Sequence, residues 1–297
     1  MTEPQTLQGA NRLVLYSNLV RLPHTAFALP FALVGAALAS YRYPVSVMQV
    51  VWIVVAFTAA RFAAMAHNRV VDREFDARNP RTANREIPAG RLSNREAKAS
   101  VVVASGVFFL AAGMLNPLVL ALAPLALIWL LTYSYLKRYT TWTHLALGIA
   151  DGIAPAAAFL ALSARWSEPW YLVVLLALGV GFWVGGFDIL YALQDAEHDR
   201  AEGLYSIPAR YGTRTAIWNA RVYQALAVLC LAAAGLAMPE TGPLYFAGVA
   251  VTAGLLVYEH SLVSPDDLSR LNVAFFNVNA LISAIFCVFI ILDRVIS

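Results

Sequence analysis

The sequence predicts an all-α integral membrane protein with nine transmembrane helices. Of its 297 residues, 60% are hydrophobic and only 13% are charged, whereas soluble globular domains carry about 25% charged residues. The apolar residues also occur in runs of roughly 17 to 22, long enough to cross a hydrocarbon layer of about 30 Å as helix. A water-soluble core of this size cannot bury so many such runs, so we expect the chain to lie in a bilayer.

The predicted spans follow one another through short turns, except at two places. They lie at 25–42, 47–66, 99–115, 117–136, 143–162, 170–190, 217–237, 243–259 and 272–292. Residues 1–21 interleave apolar and polar side chains, which predicts an amphipathic segment on the membrane surface. Two long polar connections, 67–98 and 191–216, each follow an even-numbered span. The whole chain, 1–297, is expected to form a single membrane domain.

The distribution of Lys and Arg predicts the orientation of the chain. With the N-terminus in the cytoplasm, 17 of the 21 basic residues face inward, three face outward and Arg61 lies within a span. This bias places both polar connections on the cytoplasmic side of a plasma (inner) membrane. The pI of 8.9 is below that of typical nucleic-acid-binding domains, so no nucleic-acid partner is expected. No obligatory protein partner is evident either.

The first connection carries an acidic helix face. Asn68, Asp72 and Asp76 recur every four residues, so in a helix they share one face, about 6 Å apart along the axis. Two carboxylates at this spacing repel each other, and a bound cation removes that repulsion. Mg²⁺ usually binds through one or two carboxylates together with substrate phosphates and retained waters. The alternative is a solvated helix end whose acids are neutralised by the neighbouring arginines.

The second connection repeats this pattern. Asp195 and Asp199 have the same spacing at the matching end of the sixth span, on the same predicted side of the membrane. An Ile-Pro-Ala triplet follows each acidic pair, at 87–89 and 207–209. The repetition indicates two four-helix repeats and one further helix around a central cavity. Because two acidic faces over one cavity can hold Mg²⁺ and a diphosphate, the repeat favours such a site over a solvated surface.

A diphosphate also requires cationic side chains from the protein. Arginine binds phosphate oxygens with two parallel hydrogen bonds, and lysine acts as a point charge. The candidates on the predicted cytoplasmic side are Arg21, Arg78, Arg81, Arg85, Lys137 and Arg138. Of these, Arg85 and Lys137 are preferred, although basic loops on that side are expected in any membrane protein. Arg42 and Arg165, on the other side, are expected to be ordinary surface residues.

Two further acids lie within or near predicted spans. A charge at membrane depth costs about 2.5–3.5 kcal/mol on insertion scales, so such residues usually face a cavity or a partner. Asp188 precedes Asp195 by two helical turns and extends the second acidic row toward an acceptor. Asp151 precedes Gly152 and Pro155, where a weakened helix can open a pocket. For both acids, a local charge pair that serves packing is the alternative.

Motifs of several other function classes are absent from the sequence. The five histidines form no H-x-x-E-H or H-E-x-x-H pattern, and neither a G-x-S-x-G turn nor a G-x-x-x-x-G-K-[ST] loop is present. Cys230 and Cys287 have no partner at metal-ligand spacing. The D-G-x-x-A-R signature of phosphatidyl-alcohol transferases is also missing. A membrane transporter, with repeats and intramembrane charges, is the alternative from a different class.

The two motifs resemble the signatures of UbiA-type intramembrane prenyltransferases. Residues 68–76, continuing through 79–82 to 87–90, are similar to the first signature, and residues 191–199 with 206–208 are similar to the second. The nine predicted spans and the position of both motifs on the cytoplasmic side agree with the same family. The resemblance therefore covers essentially the whole chain.

Within that superfamily, segments 63–66, 76–83 and 258–261 look most like the 4-hydroxybenzoate polyprenyltransferase branch, which includes futalosine-pathway menaquinone members. The resemblance implies Mg²⁺-dependent transfer of a polyprenyl chain from polyprenyl diphosphate to a hydroxylated aromatic acid. That acid is either 4-hydroxybenzoate or 1,4-dihydroxy-6-naphthoate, in ubiquinone or menaquinone biosynthesis. A haem- or chlorophyll-type acceptor is the alternative within the superfamily.

The resemblance also implies roles for individual residues. The ligands of Mg²⁺ and the diphosphate would be Asn68, Asp72, Asp76, Asp195 and Asp199. The substrate contacts would be Asn68, Lys137, Arg138, Arg85, Arg21 and Tyr191, with Lys137 or Arg138 steadying the leaving group. The four aspartates of the two motifs and Asp188 are the predicted catalytic residues, with Asp188 or Asp195 assisting deprotonation of the acceptor. The isoprenoid tail is expected along a lipid-facing groove.

Overall fold

The computed structural model describes residues 7, 9 and 11–296, with the backbone alone for 23–28 and 275. These residues form helices and no β-strand. The α-helices are α1 (Arg12–Leu19), α2 (Leu22–Ala39), α3 (Val47–Val71), α4 (Arg73–Arg78), α5 (Asn94–Leu115), α6 (Pro117–Leu136), α7 (Thr143–Ser163), α8 (Leu172–Tyr191), α9 (Ala196–Ala201), α10 (Ile207–Leu236), α11 (Pro243–Ser261) and α12 (Asn279–Ile296). A 3-10 turn, Ala192–Asp195, joins α8 to α9, and a π-helical segment, Val273–Val278, leads into α12. The predicted all-α fold is confirmed.

Each predicted span coincides with a long helix, but fewer helices meet the requirements for crossing a membrane. Among the described residues, seven segments are long and apolar enough: Val47–Val71, Asn94–Leu115, Pro117–Leu136, Thr143–Ser163, Leu172–Ala201, Ile207–Leu236 and Phe276–Ile296. In α2 the apolar stretch with described side chains is the shorter Leu29–Ala39. The last turn of α11 carries Glu259 and His260, which lower its mean hydropathy. The chain is a multi-pass membrane protein, and nine spans remain a prediction.

Small residues bring α7 and α8 into close contact. A Cβ atom added to Gly148 would lie 2.0 Å from the backbone oxygen of Gly181, and one added to Gly152 would lie 2.1 Å from that of Ala177. Only glycine fits at either position. In lipid, where hydrophobic burial does not drive helix association, this approach supplies the van der Waals contact between helices. It fixes α7 and α8, which carry acidic residues of the candidate site.

The helix around Asp151 differs from its prediction. α7 runs without a break through Pro155, so the expected opening of the helix beyond Asp151 does not occur. Tight packing explains the difference, because Gly35 of α2 lies against the backbone of Pro155, where an added Cβ would lie 1.9 Å from the carbonyl oxygen. The pocket beside Asp151 is therefore formed between helices rather than by a broken one.

The two polar connections are more helical than their composition predicts. α3 continues to Val71 and α5 begins at Asn94, so that the first connection is shorter than 67–98. In the second, 191–216, α10 already begins at Ile207, because the Ser206 side chain accepts a hydrogen bond from the Ala209 backbone and caps the helix. The helix is kinked at Gly212, whose φ of 80° and ψ of 170° are not helical. Polar residues at these helix ends cap the helices rather than interrupt them.

Both acidic motifs lie at the same kind of junction. Asp72 precedes α4 directly after α3, with φ −90° and ψ 3°. Asp195 is the last residue of the 3-10 turn and directly precedes α9, with φ −105° and ψ 2°. Asp76 and Asp199 follow one helical turn later. This local likeness agrees with the predicted duplication, which remains a prediction.

Helix α1 lies against the ends of α3 and α5 that adjoin the first motif. Leu15 and Leu19 are buried in a cluster with side chains of both helices, whereas Leu13 is 81% exposed. The Arg12 guanidinium forms an ion pair with Glu96 of α5 at 2.7 Å. The described part of the predicted amphipathic segment 1–21 therefore has one face packed on the protein and an apolar side chain on the other; residues 1–6, 8 and 10 lie outside the description.

Candidate active site

The two acidic motifs face one polar cavity with a volume of about 300 Å³. All the predicted ligands of Mg²⁺ line it: Asn68, Asp72, Asp76, Asp195 and Asp199. The other predicted site residues that line it are Asp188, Tyr191, Arg21, Arg85 and Lys137. Arg138 is not among the described lining residues and lies behind Asp72. The structure thus brings together side chains from both connections, α6, α8 and the turn between α1 and α2.

Asp72 is buried among basic and amide groups. Its Oδ2 accepts a hydrogen bond from the Asn68 amide at 3.0 Å and lies 2.9 Å from the Lys137 ammonium. Arg138 approaches Oδ1 at 3.5 Å, but its guanidinium donates its 2.8 Å hydrogen bond to the Val71 carbonyl. Lys137 therefore adjoins the cavity, while its neighbour Arg138 ties α6 to the end of α3.

Asp76, one turn further, pairs within its own connection. The Arg85 guanidinium lies 2.7 Å from its Oδ1. The Thr82 hydroxyl donates a hydrogen bond to the Asp76 carbonyl at 3.0 Å, which folds the connection back over α4. This folding holds Arg85 next to the acidic motif, where it was expected.

Two carboxylate oxygens of the first motif are buried without a hydrogen bond from any described residue, namely Asp72 Oδ1 and Asp76 Oδ2. A buried acceptor without a donor is unfavourable by about 1–3 kcal/mol, more for a charged group. A hard cation satisfies such oxygens. Within the described part of the chain, no three acidic, histidine or cysteine side chains converge on one point that could hold a metal ion. The motifs thus offer a partial set of ligands, suited to an ion that phosphate oxygens complete.

Arg81 connects the two motifs. Its Nε donates to Asp195 Oδ1 at 2.8 Å and its Nη2 to Oδ2, while Nη1 donates to the Tyr191 hydroxyl at 3.0 Å. The Asn79 amide also donates to Asp195, at 2.9 Å. Burial alone would lower the pKa of Arg81, but the hydrogen bond and charge of Asp195 and the Tyr191 hydroxyl raise it above its usual value. Sequence reasoning placed Arg81 among several candidate cations without foreseeing this cross-connection.

Asp199 belongs to the second motif and is held from its own connection. Its backbone carbonyl accepts a hydrogen bond from the Leu204 N–H at 2.8 Å, two residues before Ser206, the residue that caps α10. The adjacent Tyr205 backbone donates to the Lys137 carbonyl at 2.6 Å. The segment that precedes α10 thus links the backbone of Asp199 with the end of α6, where Lys137 approaches Asp72.

Asp188 has a partner that sequence reasoning missed. Its Oδ2 lies 2.7 Å from Nδ1 of His144, which is 2% exposed, and the Ile207 backbone N–H donates to His144 Nε2 at 3.2 Å. No metal-binding or catalytic pattern includes His144 in the sequence. The sequence does show that His144, a polar residue, lies at the beginning of an apolar span, but this position does not predict which residue it contacts.

A second, largely apolar cavity of about 530 Å³ lies between α3, α6, α7 and α8. The two cavities share the lining residues Arg61, Met65, Tyr133, Leu147 and Asp151. At this boundary Arg61 Nη1 lies 3.6 Å from Asp151 Oδ1. The polar cavity therefore adjoins the apolar one, and the Arg61–Asp151 pair lies at their boundary.

Known proteins share both the sequence pattern and the fold. Residues 28–281 match the sequence model of the UbiA prenyltransferase family. The 4-hydroxybenzoate octaprenyltransferase of Alkalilimnicola ehrlichii is 33% identical over 227 residues, which cover 76% of this chain and 75% of that protein. The 4-hydroxybenzoate octaprenyltransferase of Aromatoleum aromaticum is 30% identical over 298 residues, covering 99% of this chain and 98% of that protein.

Solved structures agree with these relatives. The apo structure of a UbiA homologue from Aeropyrum pernix K1 superposes with a TM-score of 0.82 at 34% identity, covering 91% of this chain and 98% of that one. A UbiA homologue from Archaeoglobus fulgidus bound to DMAPP and Mg²⁺ has the same fold, with a TM-score of 0.73 at 19% identity over 95% of this chain and 99% of that one. The resemblance expected from the motifs is confirmed, and an enzyme replaces the transporter alternative. The chain belongs to the UbiA prenyltransferase family and is a prenyltransferase.

Proposed function

We propose that this prenyltransferase transfers a polyprenyl chain from polyprenyl diphosphate to 4-hydroxybenzoate in ubiquinone biosynthesis, with Mg²⁺ between the two acidic motifs. The observation that carries the proposal is the polar cavity, which both motifs line and which adjoins the apolar one. A diphosphate fits the first cavity and an isoprenoid chain the second. The acceptor is taken from the two relatives described above, both named 4-hydroxybenzoate octaprenyltransferases.

The residues present fit a Mg²⁺ ion that the diphosphate helps to coordinate. Asp72 and Asp76 each contribute a buried oxygen that accepts no hydrogen bond from a described residue, and Asn68, Asp195 and Asp199 line the same cavity. Mg²⁺ usually keeps waters and phosphate oxygens among its ligands, so three converging acids are not required. When bound, Mg²⁺ stabilises the negative charge that develops on the departing diphosphate. The Archaeoglobus fulgidus homologue bound to DMAPP and Mg²⁺ supports this assignment.

The basic residues around the cavity hold the acids in place and bind the diphosphate. Lys137 and Arg85 each lie within 3 Å of a motif carboxylate and line the cavity. Phosphate oxygens between them would accept charge-assisted hydrogen bonds from both. Arg21 lines the cavity at the turn between α1 and α2, where its backbone has a φ of 49°. These three cations stabilise the leaving group at the polar end of the site.

The acceptor is proposed to lie at the boundary of the two cavities. Arg61 there provides a cation at membrane depth for the carboxylate of 4-hydroxybenzoate. Asp188 lines the polar side and presents a carboxylate toward the phenol. Asp188 is preferred over Asp195 as the base, because Arg81 and Asn79 already occupy the oxygens of Asp195.

The allylic C1–O bond breaks and its electron pair leaves with the diphosphate. A ring carbon beside the hydroxyl then forms a bond to C1, while Asp188 accepts the phenolic proton. Asp188 returns that proton to the oxygen when the substituted ring carbon loses its own proton to the diphosphate. The products are a prenylated 4-hydroxybenzoate and protonated diphosphate.

The isoprenoid chain is proposed to occupy the apolar cavity. Along α6 the lining runs from Tyr133 to Val119, about 21 Å at a rise of 1.5 Å per residue. Small side chains of α7, including Ala154 and Ala157, line the cavity over the same depth. The length and apolar lining of the cavity suit an extended hydrocarbon chain. The basic bias of the connections supports the motifs lying on the cytoplasmic side of the plasma (inner) membrane, together with the N-terminus.

Purified protein in lipid nanodiscs tests the proposal directly. Geranyl diphosphate and Mg²⁺ are incubated with 4-hydroxybenzoate or with 1,4-dihydroxy-6-naphthoate, and products are identified by mass spectrometry. We expect prenylated 4-hydroxybenzoate, no product after chelation of Mg²⁺, and recovery when Mg²⁺ is restored. Prenylation of the naphthoate alone would overturn the acceptor, and product formation in the presence of chelator would overturn the role of Mg²⁺.

A further inference from the structure

His144 lies between two parts of the candidate site, although it lines only a small part of the cavity. It belongs to the first turn of α7 and is 2% exposed. One ring nitrogen contacts Asp188 of α8 and the other contacts the backbone at Ile207, the first residue of α10. The histidine thus joins three helices at the level of the second acidic motif.

The contacts of His144 determine where its proton lies. A backbone N–H can only donate, so Nε2, which receives the Ile207 N–H at 3.2 Å, carries no proton. In a neutral imidazole the proton then lies on Nδ1, which donates to Asp188 Oδ2 at 2.7 Å. His144 is therefore a fixed donor to Asp188.

The contact leaves the other oxygen of Asp188 available to substrate. Asp188 lines the polar cavity and its side chain keeps 23% of its surface exposed. Oδ2 is occupied by His144, and among the described residues no side chain donates to Oδ1. When one oxygen of a carboxylate is held by a hydrogen bond, the direction of the other oxygen is fixed as well. In Asp188 this other oxygen is Oδ1, which we propose accepts the phenolic proton.

We propose that His144 is a positioning residue for the prenyl transfer, which holds Asp188 with Oδ1 directed at the acceptor and ties it to the start of α10. The inference rests on the proposed role of Asp188 as the base. The phenolic proton moves to Asp188 Oδ1 and later returns to the same oxygen of the product. His144 keeps its single proton on Nδ1 throughout, so it orients the base and does not relay the proton.

Three variants separate the two contacts of the histidine. His144→Asn places an amide nitrogen near the position of Nδ1 and keeps a donor to Asp188. His144→Gln places an amide oxygen near Nε2, which keeps an acceptor for Ile207 and loses the donor to Asp188. His144→Phe retains a ring and loses both contacts. His260→Phe is the matched control, because His260 of α11 is not among the described residues lining the cavity.

The measurements are kcat and KM for geranyl diphosphate and 4-hydroxybenzoate, with Mg²⁺-dependent binding of geranyl diphosphate measured separately. We expect kcat to fall about 10- to 100-fold in His144→Gln and His144→Phe, because misplacement of a reacting group by about 1 Å has effects of this size. His144→Asn should recover most of the loss, and the affinity for geranyl diphosphate should remain that of wild type. Wild-type kcat in His144→Phe, or equal loss in the Asn and Gln variants, would overturn the proposal.

A double variant distinguishes positioning from a structural role. If His144 acts through Asp188, His144→Phe has little further effect on kcat in an Asp188→Asn background. If the two substitutions instead lower kcat by factors that multiply, His144 does not act through Asp188. A loss of geranyl diphosphate binding in every His144 variant would likewise show that the residue has a structural role only. If wild-type protein prenylates another phenol instead of 4-hydroxybenzoate, the acceptor is wrong and the same comparison on that phenol still decides the role of His144.

Discussion

Arg81 and Asp195, 114 positions apart in the chain, form a two-pronged ion pair that joins the two polar connections. Both side chains are largely buried, with 14% and 18% of their surface exposed. A planar guanidinium that binds both carboxylate oxygens sets the orientation as well as the distance of its partner. The pair therefore fixes the position of the second acidic motif relative to the first before any substrate binds.

The first prediction concerns this pair. Arg81→Lys keeps the charge but loses the two-pronged geometry, so we expect kcat/KM for prenyl transfer to fall about 10- to 100-fold. Arg78→Lys is the control, because its pair with Glu202 is more exposed and exposed pairs contribute little, since solvent screens them. Steady-state kinetics of both variants provide the measurement. Equal effects of the two substitutions would show that the Arg81 geometry is unimportant.

The second prediction concerns the acceptor. If Arg61 binds the carboxylate of 4-hydroxybenzoate, Arg61→Gln raises its KM at least about tenfold, in line with the loss of a charge-assisted hydrogen bond of about 1.5–3 kcal/mol. The KM for geranyl diphosphate should stay constant, and 4-hydroxybenzamide, which lacks the carboxylate, should be much less sensitive to the change. Arg165→Gln, at a residue that contacts Tyr43 outside the site, is the control. An equal loss on both acceptors argues against the assignment.

The third prediction concerns the isoprenoid chain. Ala154 and Ala157 line the apolar cavity on α7, about 4.5 and 9 Å along the helix from Asp151. Phenylalanine at either position should block long chains, and Ala154→Phe should cut off at a shorter chain than Ala157→Phe. Activity is measured with diphosphates of increasing length, and Val102→Phe, at an exposed position of α5, is the control. A length profile unchanged from wild type in both variants would place the tail elsewhere.

The fourth prediction concerns the packing of α7 on α8. In Gly152→Ala the new methyl group would lie 2.1 Å from the Ala177 carbonyl oxygen. The two helices must therefore separate, which lowers the free energy of unfolding by about 1–3 kcal/mol or more. Gly106→Ala has no atom within 4 Å of the new methyl group and should be neutral or favourable by up to about 1 kcal/mol. Thermal unfolding in detergent compares them. A midpoint of Gly152→Ala at or above that of Gly106→Ala would contradict the close packing.

Features set by local periodicity were predictable from the sequence. The apolar runs predicted the long helices. The four-residue spacing predicted that the acids of each pair share one helix face, whereas Asp72 and Asp195 lie at junctions between helices; all four acids nevertheless line one cavity. Helix ends were less predictable. Ser206 caps α10 well inside a stretch that composition alone assigns to a loop.

Contacts between distant parts of the chain could not be predicted in the same way. The Arg81–Asp195 and His144–Asp188 pairs depend on the packing of different helices, and no spacing rule connects their members. Lys137 and Arg138 are neighbours with the same charge, yet only Lys137 lines the cavity, because the two side chains leave the end of α6 in different directions. Their difference follows from tertiary structure alone.

The central claim is that the two acidic motifs form one Mg²⁺-dependent diphosphate site. Binding of geranyl diphosphate to wild type, Asp72→Asn, Asp195→Asn and the exposed-site control Asp266→Asn, each with and without Mg²⁺, tests it most directly. We predict Mg²⁺-dependent binding to wild type and the control, and a loss of at least about tenfold in affinity, roughly 1.4 kcal/mol, in either motif variant. Binding that does not require Mg²⁺, or that is weakened by a change in one motif alone, would contradict the account.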